Sequence, residues 1–460
     1  MKNRFKFAIV GAGSISFCPA TLSDILLSRP FAEVELEIAL MDIAEEALRV
    51  SEVFCREAAA SIGRKLVLTA TTDLAAALDG ADFVVTAIEK DRYKWWSMDF
   101  HIPRRYGFRQ VYGENGGPGG MFHTLRNLGP MLEIARTMER VCPDAWLLNY
   151  TNPEAKLVEA ISKLTRIKVV GLCHGEQMGM DQLAEFLQLP KDEIEAEAVG
   201  LNHFGWFTKV VRKADGADLY PLLREKERSI DWLAHWDEFG LSRLMFRTFG
   251  LWPYPGTNHI GEYLAWSDEM LASTKIQYFF DPAEHDPWQD GKLPEFVYSF
   301  SSNPTSRPLF PEQKPFAGDP GFHRSFSFTE RGLSGSNEYG IPIAEAIAFD
   351  RPVRIGAVNM ANRGYVPGLP EGMAVELPAM VDGAGIHPVR TAALPTAVTA
   401  MIAQQGAIHS LLIEAYAEQS KNKLLQAMLI DPTVSNYHNA VALIDEMCLR
   451  QQEILPALHW

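Results

Sequence analysis

The stretch Phe5 to Ser16 reads FKFAIVGAGSIS. Its first six residues are an apolar run of strand length. The next six hold Gly11 and Gly13, where a tight turn must let backbone amides approach a pyrophosphate. Ser14 and Ile15 continue that turn, and Ser16 stands where a full GxGxxG would have its third glycine. A helix-like stretch follows over Thr21 to Ser28, then a second apolar run ends at Leu40-Met41-Asp42. An acidic residue at the end of the second strand accepts ribose hydroxyls and repels a 2′-phosphate, so Asp42 favours NAD+ over NADP+. The bland alternative is an ordinary strand-helix turn. Strand, turn, helix, strand and aspartate in this order make Gly11, Gly13, Ser14, Ile15 and Asp42 the candidate cofactor-binding residues.

The period continues. Leu66–Ala70 and Asp82–Ile88 read as strands with a helix over Asp73–Leu78 between them; Ala145–Leu148 and Lys168–Leu172 read as two more, separated by a helix over Pro153–Leu164. Strands alternating with helices predict an α/β protein with an N-terminal doubly wound, Rossmann-type domain over residues 1–195. Residues 196–460 predict a mixed α+β domain for substrate, metal and subunit contact, ending in a helical stretch over Thr396–Leu429. The segment Asp281–Gly321, dense in proline, glycine and aromatics, predicts a long ordered loop, a lid or a subunit contact.

Ligands of doubly wound sheets lie beyond the carboxyl ends of the strands. Asn149-Tyr-Thr-Asn-Pro153 and Cys173-His-Gly-Glu176 both fall there, and Asn202-His203 follows thirty residues later. A thiolate and an imidazole brought together by two strand ends make a divalent-metal site, for which a hydroxy-acid dehydrogenase has no need. Each residue also has a plain reading: Cys173 as a buried strand-end cysteine, His203 as a core histidine, Asn152 as a helix cap before Pro153, and Asn202 as the residue that fixes the turn presenting His203.

Composition bounds the class. The 460 residues, 47% hydrophobic and 22% charged, can bury a large core. A formal net charge of −15 with no basic cluster argues against nucleic acid and against an anionic membrane surface. Met1-Lys-Asn-Arg4 runs straight into the first strand and no apolar run approaches about 18 residues, so neither export nor membrane spanning is indicated. Five cysteines, at 18, 55, 142, 173 and 448, are odd in number and suit a reducing cytoplasm.

Several strings in combination are identified as those of glycoside hydrolase family 4. They are the glycine turn with Asp42, Tyr112-Gly-Glu-Asn-Gly-Gly-Pro-Gly-Gly120, Asn149-Tyr-Thr-Asn-Pro153, Cys173-His-Gly-Glu176, Gly200-Leu-Asn-His-Phe-Gly-Trp206 and Gly364-Tyr-Val-Pro-Gly-Leu-Pro370. The resemblance implies a cytoplasmic homodimer or homotetramer that uses NAD+ and a divalent metal, usually Mn2+. It implies hydrolysis of a small-molecule glycoside by oxidation at carbon 3, elimination, water addition and re-reduction, outside the two-carboxylate scheme. Residue by residue it implies Cys173 and His203 as metal ligands, and Asn149 and Asn152 at the junction of sugar and nicotinamide. Asn202 and Glu114 stand as substrate contacts, and His259 as the reserve base or a further substrate contact. His174 is the candidate general acid, standing where parts of the family carry aspartate, and the resemblance implies Tyr263 in His259-Ile-Gly-Glu-Tyr263 as the base that would take the proton from carbon 2. A phenol ordinarily ionises near pH 10, so that role needs a nearby metal.

Cys-His after the sheet leans towards an unphosphorylated α-glycoside or uronide. Glu176 and Gly113-Glu-Asn115 depart from the family strings and leave an acidic sugar open, with Arg104, Arg105 and Arg126 as candidate anion contacts. Two readings of other classes stand beside this one: a dehydrogenase of the lactate or malate type, and a non-catalytic nucleotide- or sugar-binding sensor.

Overall fold

The computed structural model describes residues 2–229, 239–267, 276–279, 296–299, 313–314 and 327–460. Six parallel strands open the chain: β1 (Arg4–Val10), β2 (Glu35–Met41), β3 (Val67–Thr71), β4 (Phe83–Thr86), β5 (Trp146–Asn149) and β6 (Lys168–Gly171). They lie in the order β3-β2-β1-β4-β5-β6, the doubly wound arrangement expected from the alternation of strands and helices. Helices cover both faces, which is why β1, β2 and β4 read as nearly unbroken apolar runs rather than alternating ones.

The sheet does not stop at β6. After β7 (Ile194–Leu201), β8 (Phe204–Arg212) and β9 (Trp252–Tyr254), the chain returns as β13 (Val353–Ala361), β14 (Ala374–Asp382) and β15 (Gly385–Pro388). β13 pairs antiparallel with β6 at Asn359 and Gly171, and β14 pairs with β7 at Glu376 and Gly200. One twelve-stranded sheet therefore runs through both halves. A boundary after residue 195 would fall inside β7, whose strand partners β8 and β14 lie later in the chain.

The stretch Thr396–Leu429, read as one helix, is two: Thr396–Glu418 and Lys421–Ile430. Gln419 adopts φ 54° and Ser420 caps the second helix by accepting the Lys423 amide. Among the described residues Thr396–Glu418 is long and apolar enough, by length and composition, to cross a membrane. Its Val398, Ile402, Ile408 and Leu412 are buried in the core, where it packs on helices Gly117–Val141 and Glu154–Leu164. The loop expected over Asp281–Gly321 lies outside the described residues except for β11 (Phe296–Ser299) and β12 (Gln313–Lys314), which form a small sheet with β10 (Ile276–Phe279).

Candidate active site

The glycine turn opens on a cavity of 1330 Å³ that Gly11, Gly13, Ser14, Ile15 and Asp42 line together. Gly11 sits at φ 87°, and a Cβ there would collide with the Ala87 carbonyl. A Cβ on Gly13 would lie 2.9 Å from Asp42 Oδ2 and 2.8 Å from the Ala47 Cβ. Asp42 is held in place: Oδ2 accepts the Gly13 amide at 2.7 Å and Oδ1 the Ala44 amide at 2.9 Å. Ser16 turns out to be the N-cap of helix Phe17–Leu27, with no side-chain cap bond and no acidic residue in the first turn. The positive end of that helix faces a site suited to a pyrophosphate. The residues present thus fit a dinucleotide.

Glu89 and Arg92 line the far wall of the same cavity, and they reach into a second, buried group. Arg92 pairs with Glu114, and Glu89 accepts from His123 Nε2 at 2.6 Å. Burial alone would raise the Glu114 carboxyl, but Arg92 and then His123 hold it below its ordinary value. One ligand-type atom each from Glu114, His203 and His259 lies within 4.8 Å of the other two. His203 stands in the short turn between β7 and β8 at φ 63°, a conformation costly for a residue with a Cβ. Its ring meets that of His259, on the short helix Thr257–Gly261, edge to face at 4.3 Å, and its Nδ1 lies 3.0 Å from the Asn115 amide nitrogen. The donor set is chemically suited to Mn2+ or a similar divalent cation.

Glu262, three residues after His259, binds the loop that carries Glu114. Its Oε2 accepts the amides of Glu114, Asn115 and Gly116 at 2.8, 2.6 and 2.8 Å. Burial, then the Glu114 charge, pushes Glu262 up to about 8. From the other side the Lys156 ammonium donates to the Asn115 carbonyl, and burial lowers that lysine to about 8. Next in the chain, Tyr263 is buried with its ring on Phe204, and its hydroxyl donates to the Asn202 carbonyl at 3.3 Å. Burial, followed by Glu262 and Glu114, pushes the phenol well above its ordinary value.

Cys173 follows β6, half-buried, and its Sγ accepts the Gly175 amide at 3.3 Å. It is not one of the three clustered ligands. Two buried carboxylates, Glu154 and Glu376, act on it. Glu376 accepts from Asn359 Nδ2 at 2.8 Å and Asn202 Nδ2 at 3.4 Å, while Glu154 Oε1, Glu376 Oε1 and Asn202 Oδ1 are buried without a hydrogen-bond partner. Burial, Glu154 and Glu376 together push the Cys173 thiol well up, and a bound divalent cation is the charge that would reverse this. His174 is exposed, with Nδ1 3.4 Å from Glu338, and that hydrogen bond raises its pKa against the effect of burial.

Three expectations change. Asn149 is wholly buried, its Oδ1 accepting from Thr86 Oγ1 at 2.9 Å and the Thr151 amide at 3.1 Å while Nδ2 donates to the Thr151 carbonyl. It shapes the strand end instead of presenting its amide to sugar or nicotinamide. Asn152 is not a helix cap, because helix Glu154–Leu164 is capped by Pro153 with no side-chain bond; its carbonyl accepts from Asn127. The three arginines offered for an anion are engaged elsewhere: Arg104 with the Gln110 carbonyl, Arg105 with Glu446, and Arg126 with buried Asp99. Asn115, Glu262, Lys156, Glu154 and Glu376 were missed. Glu262 had a signal in its position between His259 and Tyr263, and Asn115 in the string Tyr112–Gly120; the others had none.

Sheet order, glycine turn and Asp42 define a dinucleotide-binding α/β protein of the doubly wound class. Beyond the class, the model of the Family 4 glycosyl hydrolase matches residues 6–189 and that of the Family 4 glycosyl hydrolase C-terminal domain residues 198–434. The chain belongs to this family. It is 34% identical to an alpha-glucosidase of Erwinia rhapontici, across 97% of this chain and 98% of that one, and 29% identical to an alpha-galactosidase of Bacillus subtilis, across 98% and 99%. Among solved structures, a 6-phospho-alpha-glucosidase from gut microorganisms in complex with NAD and Mn2+ shares the fold at TM-score 0.75 and 22% identity, over 99% of this chain and 100% of that one. Family membership over both halves sets aside the lactate- or malate-type dehydrogenase.

Proposed function

We propose that this chain hydrolyses the glycosidic bond of an unphosphorylated α-glycoside, with α-glucosides first and α-galactosides and uronides next. The observation that carries this is the shared wall: Glu89 and Arg92 line the nucleotide cavity and bind His123 and Glu114, so a hydride acceptor and a divalent cation would meet on one sugar. The α-glucosidase and α-galactosidase relatives support the linkage and the lack of a phosphate. When bound, NAD+ supplies reversible hydride transfer at sugar carbon 3, and the metal polarises the oxygen there, which acidifies the hydrogen on carbon 2.

Gly11, Gly13, Ser14, Ile15 and Asp42 hold the nucleotide, and Cys173 and His203 hold the metal. His174, whose pKa is raised by its hydrogen bond to Glu338, donates to the departing oxygen. Tyr263 takes the proton from carbon 2; its hydroxyl reaches the Asn202 carbonyl, at the turn that carries His203. Asn152 and Asn202 orient sugar hydroxyls. The five free cysteines suit a reducing cytoplasm, where the protein would work as a homodimer or homotetramer.

The test is to strip nucleotide and metal, then assay aryl α-glucosides, α-galactosides, uronides and 6-phosphoglycosides with NAD+ and Mn2+ added singly and together. Activity should need both, produce no net NADH and leave solvent deuterium at carbon 2 of the product. Full activity of the stripped protein, or a clear preference for 6-phosphoglycosides, would overturn the reading.

A further inference from the structure

We propose that Lys156 is a positioning residue of this site: by fixing the Asn115 peptide it sets the carboxamide that orients His203; this rests on the reading that His203 holds a metal. Lys156 lies in the first turn of helix Glu154–Leu164 and is buried. Taking an ammonium out of water is costly, and a methionine of similar length would pack there without that cost. What the lysine offers instead is a donor. Burial lowers its pKa, the Glu262, Asp431 and Glu159 charges oppose that, and its Nζ donates to the Asn115 carbonyl.

Asn115 is thereby held on both sides of its Cα. Its amide donates to Glu262 Oε2 at 2.6 Å, and its carbonyl accepts from Lys156. The surrounding backbone leaves no slack: a Cβ on Gly120 would lie 2.5 Å from the Asn115 carbonyl carbon, and one on Gly116 2.5 Å from the Glu262 carbonyl oxygen. With both peptide planes fixed, the direction of the side chain is fixed, and Nδ2 lies 3.0 Å from His203 Nδ1 and donates to Glu114 Oε2 at 3.4 Å. Metal-binding imidazoles are oriented by a partner on the other ring nitrogen, and here that partner's backbone hangs on Lys156. A lysine acting by its charge alone would have the opposite effect. Its charge is felt at His203, where burial, then His259, His174 and Lys156, lower the ring's pKa. A positive charge beside a cation site weakens binding, so deleting the charge alone would tighten it, whereas deleting a positioning residue loosens it.

The experiment uses the full chain loaded with NAD+. Lys156→Met and Asn115→Ala should each raise the Kd for Mn2+ about tenfold. The double variant should bind no more weakly than Asn115→Ala alone, because Lys156 acts through that side chain. Without metal, the ring-nitrogen resonances of His203, followed by NMR with isotopically labelled histidine and identified by their loss in His203→Gln, should move in both single variants. Tighter or unchanged Mn2+ binding in Lys156→Met, or effects that multiply in the double variant, would overturn the proposal. If Lys156→Met fails to fold, Asn115→Ala decides alone: moved His203 resonances with weaker Mn2+ binding support the proposal, and wild-type values of both overturn it. Wild-type protein that binds no Mn2+ would overturn the functional reading instead, and the metal-free resonances would still decide this one.

Discussion

A single carbon atom separates Gly13 from a broken cofactor site. The Asp42 carboxylate is already oriented by the Gly13 and Ala44 amides, and an alanine Cβ at position 13 would press on Oδ2 from 2.9 Å and on Ala47 from 2.8 Å. Gly13→Ala should therefore raise the Kd for NAD+ about tenfold, equivalent to about 1.4 kcal/mol, with little change in fold stability. Asp42→Asn should narrow the preference for NAD+ over NADP+, because the charge that repels a 2′-phosphate is gone. Equilibrium titration of both nucleotides checks the pair, and an alanine variant that binds NAD+ as wild type would remove the glycine argument. These residues were legible because turn, strand end and acidic residue lie close together in the sequence. Asn149 was legible as a strand-end polar residue but not as a fully satisfied one, since one of its partners, Thr86, lies on another strand. Asn115 meets His203 across 88 positions, and no local pattern announces that.

Between elements, one carboxylate does most of the joining. Glu262 satisfies three buried amides of the glycine-rich loop, so Glu262→Ala leaves three donors without a partner in a place water does not reach. Each such loss costs about 1–3 kcal/mol, and Glu262→Ala should lower unfolding free energy by roughly 3–9 kcal/mol. Glu262→Gln keeps an acceptor oxygen in the same place and should lose only about 1–2 kcal/mol. Urea unfolding of the two variants reads the difference; an alanine variant as stable as wild type would mean the loop is held by other contacts. Strands and helices were readable here from apolar period alone, yet the link between Gly113–Gly117 and the His259 segment was not, because backbone amides carry no sequence signal. The break after Glu418 was hidden for a related reason. Gln419 takes the left-handed conformation usually given to glycine, so a chain rich in alanine and leucine on both sides reads as one helix.

At the scale of the whole molecule, the two halves read from the sequence share a single sheet, and that has a thermodynamic consequence. Nucleotide at a hundredfold excess over its Kd stabilises whatever unit it is folded with by about 2.7 kcal/mol. Unfolding entropy near 2.1 cal/mol/K per residue makes that a rise in Tm of about 3 °C if all 460 residues unfold together. If a 195-residue half unfolded alone, the same free energy would raise its transition by roughly 6–7 °C and leave the other half where it was. Pairing of β6 with β13 places a second-half strand directly on the nucleotide-binding sheet, so loss of either half exposes an edge of the other. We therefore expect one calorimetric transition that moves as a unit, with calorimetric and van't Hoff enthalpies in agreement. Two transitions, of which NAD+ moves only one and by the larger amount, would show that the halves are independent despite the shared sheet.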